Sequence, residues 1–249
     1  MTEVKPKSTH DRVVADYYRS TSAIGSVDSS EDFLESLTGL QRRLGSWLDV
    51  SGKNVVDLGS GTGQLCALAI EGNAKNVVGV NLSREENEYA CRYVNAEFIA
   101  SDIGDYLHSL QPGSVDCVFA LNILEHLDKD KLLIVLEAVN RCLKSGGTLV
   151  AMVPNATSPF GSMTRYWDIT HHNAFTPSSI KQLSRMAGFG EAVDFRECGP
   201  VPYAPISAVR YVLWQGIRML IKGYLMIELA SDKGGIYTAD MLFRLRKGT

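Results

Sequence analysis

The chain has 249 residues, 45% hydrophobic and 21% charged, a balance that fits one large folded α/β domain and excludes a disordered or fibrous chain. Its formal net charge of -3 leaves no overall positive field to hold a polyanion by counterion release, so nucleic acid is not expected as a partner. Five scattered cysteines, Cys66, Cys91, Cys117, Cys142 and Cys198, form no C-x-x-C pair and predict free thiols in a reducing cytoplasm.

The first ten residues are polar, with Lys5, Pro6 and Lys7, and no apolar stretch of the kind a secretory signal needs follows them. Over 32–48 apolar residues recur at helical spacing (Phe33, Leu37, Leu40, Leu44, Trp47, Leu48) until Ser51 and Gly52 end the pattern. A regular alternation then predicts strand 54–58, helix 64–70, strand 76–80, helix 84–93 and strand 97–100. It continues with helix 103–109, strand 115–121, helix 131–143 and strand 148–153. Apolar runs such as Cys117-Val118-Phe119-Ala120-Leu121 point to strands buried on both faces, as in a parallel sheet covered by helices.

After Pro154 a segment rich in Asn, Ser, Pro and Gly reads as a loop through Asp168. Beyond it the pattern predicts a helix over 177–187, a strand over 192–196 and a last strand over 238–245. Pro200, Pro202 and Pro205 lead into an apolar stretch over 209–229, read as a helical insertion before the last strand. Gln215, Arg218 and Lys222 interrupt it, so it is not expected to span a bilayer. On a helical wheel Arg210, Gln215, Arg218 and Lys222 share one side, and Val209, Val212, Leu220, Tyr224 and Ile227 another. That division suits packing over a substrate site, a homodimer contact, or a peripheral contact with the inner membrane surface.

The most informative segment is Val55-Val56-Asp57-Leu58-Gly59-Ser60-Gly61-Thr62-Gly63, a strand running into a glycine-rich turn that opens a helix. Alternate glycines let the backbone approach a ligand closely and offer amides where an anionic group is favoured. A dinucleotide fingerprint wants a third glycine where Gln64 stands, and a phosphate loop wants a Lys-Ser/Thr pair that is missing. Asp57 at the strand end would repel phosphate, yet it suits an ammonium beside a carboxylate, the amino-acid end of S-adenosylmethionine.

Asp57 to Gly63 resembles the first motif of the class I S-adenosylmethionine-dependent methyltransferases. Gly79-Val80-Asn81-Leu82-Ser83 resembles the family's second strand and loop, with Asn81 where an acidic residue usually accepts hydrogen bonds from the ribose. Ala100-Ser101-Asp102-Ile103 resembles the segment that contacts adenine, although Asp102 also suits the N-cap of a short helix. Ala120-Leu121-Asn122-Ile123-Leu124-Glu125-His126-Leu127 resembles the segment after the fourth strand, and Leu143-Lys144-Ser145-Gly146-Gly147-Thr148 the turn before the fifth. The resemblance covers roughly residues 54–154. It implies a single Rossmann-like, doubly wound α/β domain, mostly parallel with an antiparallel last strand, and S-adenosylmethionine as cofactor. Cofactor contacts are then expected from Asp57, Gly59, Ser60, Gly61, Gly63, Asn81, Leu82, Asp102, Ile103 and Asn122. Tyr17 and Tyr18 would belong to an N-terminal helical lid over the cofactor within residues 1–50, with Tyr18 a further cofactor contact, ahead of a cofactor core over 51–154 and a substrate-side half over 155–249.

Methyl transfer is an in-line displacement, and a hydroxyl acceptor also needs its proton removed. His171 and His172, with Asp168 as orienter, and His126 after the fourth strand are the candidate catalytic residues. Paired histidines also suit a metal, but with one carboxylate nearby none is expected. Glu125 reads as a solvated residue near the start of a helix. Residues 166–190 resemble bacterial methyltransferases of cell-surface polysaccharide and other glycan gene sets, and more loosely the quinone-biosynthesis type. That resemblance implies a sugar hydroxyl in a glycan, glycolipid or sugar nucleotide. The alternatives are a small non-sugar metabolite (quinone-type or nitrogen acceptor), a nicotinamide-dependent oxidoreductase, or a cofactor-binding accessory protein without turnover.

Overall fold

The computed structural model describes residues 30–232 and 234–248. Helix α1 (Ser30–Leu44), continued by a 3-10 turn (Gly45–Trp47), buries Phe33, Leu37, Leu44 and Trp47, the face its spacing predicts. There follow β1 (Asn54–Leu58), α2 (Gln64–Glu71), β2 (Asn76–Asn81), α3 (Arg84–Tyr93) and β3 (Glu97–Ala100). Next come α4 (Ile103–Ser109), β4 (Val115–Leu121), α5 (Lys129–Cys142) and β5 (Leu143–Pro154). The remainder holds α6 (Gly161–Tyr166), α7 (Pro177–Met186), β6 (Val193–Glu197), α8 (Pro205–Leu229) and β7 (Asp240–Arg246).

The strands form one sheet in the order β3-β2-β1-β4-β5-β7-β6. β1 to β5 pair in parallel, while β7 runs antiparallel to both β5 and β6. Because side chains alternate along a strand, β4 sends Val118 and Ala120 to one core and Cys117 and Phe119 to the other. The sheet is thus covered on both faces, as the apolar runs predict. Strand order reverses between β1 and β4, which places a crevice over their carboxyl ends. All five cysteines are free.

Two expectations need correction. The segment after Pro154 is not loop throughout: Gly161 opens α6 against Asn155, whose carbonyl oxygen would lie 2.8 Å from any Cβ placed there. The small residues that read as loop formers serve a tight helix start instead. The expectation that α8 packs its apolar side over the substrate site also fails, since Val212, Leu220 and Ile227 are 67%, 76% and 89% exposed. Glu197 on β6 explains the orientation: it accepts from Trp214 Nε1 at 3.2 Å and pairs with Arg218 at 3.0 Å, drawing the polar side inward. No helix among the described residues is long and apolar enough to cross a membrane. Tyr17 and Tyr18 of the expected lid lie outside the described residues.

Candidate active site

The turn between β1 and α2 carries Gly59, Gly61 and Gly63 at φ of +73°, +50° and +90°, a region that disfavours side chains. The three glycines do different work. A Cβ at Gly59 would meet Ile123 at 2.9 Å and one at Gly63 would meet Phe98 at 3.0 Å, so both serve the protein's own packing. At Gly61 a Cβ would meet nothing within 4 Å. Gly61 therefore faces open space, and its neighbours Ser60 and Thr62 carry buried hydroxyls with no hydrogen-bond partner. This is a cradle with polar groups to spare, as an anionic ligand group requires.

Asp57 lies beneath that turn, 3% exposed, accepting a hydrogen bond from Cys66 Sγ at 3.7 Å. Burial pushes its carboxyl from 3.8 up to about 7, and no basic side chain among the described residues pairs with it. An ammonium placed beside it would restore the charge. Since the folded-state pKa is raised, the stability linked to this group is full below pH 3.8 and is lost as pH rises through about 7. A cationic ligand shifts the balance the other way, because it binds the ionised form. Donor affinity should fall about tenfold from pH 7.5 to pH 6, and the dependence should vanish in Asp57→Asn; calorimetry at both values checks this.

Asn81 ends β2, buried, and donates Nδ2 to the Glu86 carboxylate at 2.5 Å. Glu86 sits in the first turn of α3, which Ser83 caps, so a buried acid stands beside Asn81 where the family pattern has one in its place. Leu82 is 49% exposed and offers an apolar surface, whereas Ile103 is buried in the core. Asp102 caps α4 through Gly104 and Asp105 and accepts from Lys131 Nζ at 2.6 Å. Burial works to raise its pKa, but Lys131 and these amides outweigh it and hold the carboxyl below its usual range. Asn122, at φ +54°, is a rare non-glycine in the left-handed region, held by its amide bond to the Met152 carbonyl at 3.0 Å.

A 3-10 turn (Leu124–His126) follows Ile123, and the loop before α7 folds back onto it. The amides of His172 and Asn173 both donate to the Glu125 carbonyl, at 2.7 and 3.2 Å, and Asn173 Nδ2 donates to the Leu127 carbonyl at 2.6 Å. This brings the His126 and His171 rings to 4.7 Å, edge to face. His126 Nδ1 lies 2.8 Å from Thr170 Oγ1, which donates to Asp168 Oδ1 at 2.7 Å, so the hydroxyl accepts from Nδ1–H. His171 Nδ1 lies 3.1 Å from the Thr164 carbonyl, which can only accept. A neutral imidazole at either position therefore carries its lone pair on Nε2. Burial pulls the His126 pKa down from 6.5 to about 4, which keeps that ring neutral. Glu125 is not solvated as expected: it is 1% exposed, and burial pushes its carboxyl to about 8. His172 is exposed at the rim.

Residues 31–190, more than half of the chain, match the Methyltransferase domain family. The chain belongs to that family. No curated protein matches it in sequence. Its fold is shared by a solved S-adenosylmethionine-dependent methyltransferase from Archaeoglobus fulgidus, 21% identical at a TM-score of 0.64 over 86% of this chain and 94% of that one. Another such enzyme from Mesorhizobium loti is 18% identical, TM-score 0.55, covering 82% and 98%. The 1,6-didemethyltoxoflavin-N1-methyltransferase of Burkholderia thailandensis, solved with 1,6-didemethyltoxoflavin and S-adenosylhomocysteine, is 17% identical, TM-score 0.58, covering 96% and 88%.

Within this methyltransferase the structure brings His126, His171 and Asp168 together, through Thr170, and sets His172 apart on the surface. Sequence reasoning missed Glu125, Thr170 and Glu86 as members of the site. The signals available were the Glu125-His126 pair directly after an apolar strand and an acid five residues beyond Asn81.

Proposed function

We propose that the protein transfers a methyl group from S-adenosylmethionine to a sugar hydroxyl in a glycan, glycolipid or sugar nucleotide. The observation that carries the reading is the buried Asp57 beneath the open cradle at Gly61, joined through Ile123 to the His126–His171 pair. S-adenosylmethionine is the cofactor, and it supplies a methyl group on a sulfonium. Asp57 would hold its ammonium, the turn around Gly61 its carboxylate, and Asn81 with Glu86 its ribose. The histidine pair would face the acceptor hydroxyl, with Asp168 fixing His126 through Thr170.

A groove lined by Arg42, Arg43, Arg210 and Tyr203 supports an acceptor that carries a phosphate or carboxylate. Asp240, whose carboxyl burial pushes up, is within electrostatic reach of both Arg43 of the groove and His171. The outward apolar side of α8 is the proposed surface for the membrane contact or homodimer read from the sequence.

The test supplies radiolabelled S-adenosylmethionine and a panel of neutral sugars, sugar phosphates, sugar nucleotides, quinols and amines. Base-stable label in a phosphorylated or uronic sugar, with a raised KM in Arg43→Glu, is the expected result. Label confined to quinols or amines, or donor binding without transfer to any acceptor, would replace this reading.

A further inference from the structure

The acceptor end of the site sets a buried carboxylate beside two imidazoles. Glu125 lies within electrostatic reach of Asp168 and of Asp240, and its side chain is buried with Oε2 lacking any hydrogen-bond partner. One ligand atom each from Glu125, His126 and His171 lies within 4.8 Å of the others. Both rings engage Nδ1 elsewhere, His126 on the Thr170 hydroxyl and His171 on the Thr164 carbonyl, which directs their lone pairs to Nε2. Metal-binding histidines are held by such outer bonds, which fix tautomer and ring orientation.

We propose that Glu125, His126 and His171 bind a divalent first-row transition-metal ion. Two imidazoles and one carboxylate suit zinc, manganese or iron(II) better than magnesium or calcium, which take oxygen ligands. An ion at about 2.1 Å from each ligand would draw the three atoms to about 3.4 Å apart, and positions beyond the three would stay open to an acceptor oxygen. The site itself is independent of the methyltransferase reading. Its use rests on that reading: a hydroxyl bound to the ion would ionise more readily, giving its proton to solvent water, while the two rings would stay ligands. The carboxylate of the cluster is not Asp168 of the segment over 166–176 but Glu125, which precedes that segment in the chain.

The full chain, stripped by a chelator, is titrated with Zn2+, Mn2+, Co2+ and Mg2+ by calorimetry, and cobalt is also followed by its visible absorption. One equivalent of a transition ion should bind, with histidine-type cobalt bands. Affinity should weaken at least about 100-fold in His126→Ala, His171→Ala and Glu125→Gln, and stay unchanged in His108→Ala, whose side chain is exposed on α4. Glu125→Gln keeps the shape of the side chain, and melting curves for each variant separate lost binding from lost folding. S-adenosylmethionine binding, measured in the same samples, tests the donor reading separately. No binding by any ion, or binding that survives both histidine variants, overturns the site. Methyl transfer at full rate in the chelated protein overturns its role in activating the acceptor.

Discussion

Gly61→Val is expected to bring donor affinity below detection while the sheet still folds. The backbone at this position sits at φ +50°, and a β-branched side chain there costs about 1–3 kcal/mol, against a stability for such domains of about 5–15 kcal/mol. An added Cβ meets no protein within 4 Å, so the valine side chain would extend into the open space where the ligand is proposed to bind. Gly79→Ala provides the contrast. Its Cβ would fall 2.7 Å from Phe98 and 2.9 Å from Ser60, so that variant should lose melting temperature through overpacking. Calorimetry with S-adenosylmethionine and thermal melts of both variants separate a filled cradle from a damaged core. Wild-type donor affinity in folded Gly61→Val would remove the basis for placing the ligand at this turn.

His126→Ala and His171→Ala should each lower kcat by about 10²–10⁴-fold and leave the donor dissociation constant unchanged. The rings meet at 4.7 Å, His171 oriented by Thr164 of α6 and His126 by Thr170, so removing one disturbs the other without reaching Asp57. His172→Ala should lose far less, because its side chain is exposed and the bond of its backbone amide to the Glu125 carbonyl survives the substitution. Single-turnover rates for the three variants rank them. Equal losses in all three would mean that the loop as a whole, and not the facing pair, activates the acceptor.

The donor half was legible because its signals are local. β1, β3, β4, α3 and α4 have the limits their patterns predict, since Ser83 and Asp102 cap the two helices and apolar runs mark the strands. The acceptor half depends on contacts that no window of sequence contains. Glu125 reads as solvated until the amides of His172 and Asn173 fold back on its carbonyl. α6 hides in residues that favour turns, because what starts it is a close approach to Asn155. The two sides of α8 were readable, but which one meets the body depends on Glu197, a residue of another element.

The way α8 is fastened sets it apart mechanically. Of its residues only Ser207 is buried, and its polar ties include those from Trp214 and Arg218 to Glu197, from Arg218 to the Gly235 carbonyl and from Lys222 to Asp232. Opening such an element exposes little new apolar surface, so it can unravel at a small fraction of the free energy that holds the sheet. A proteolytic cut there would leave β7 seated between β5 and β6, and the two fragments would stay together as one particle.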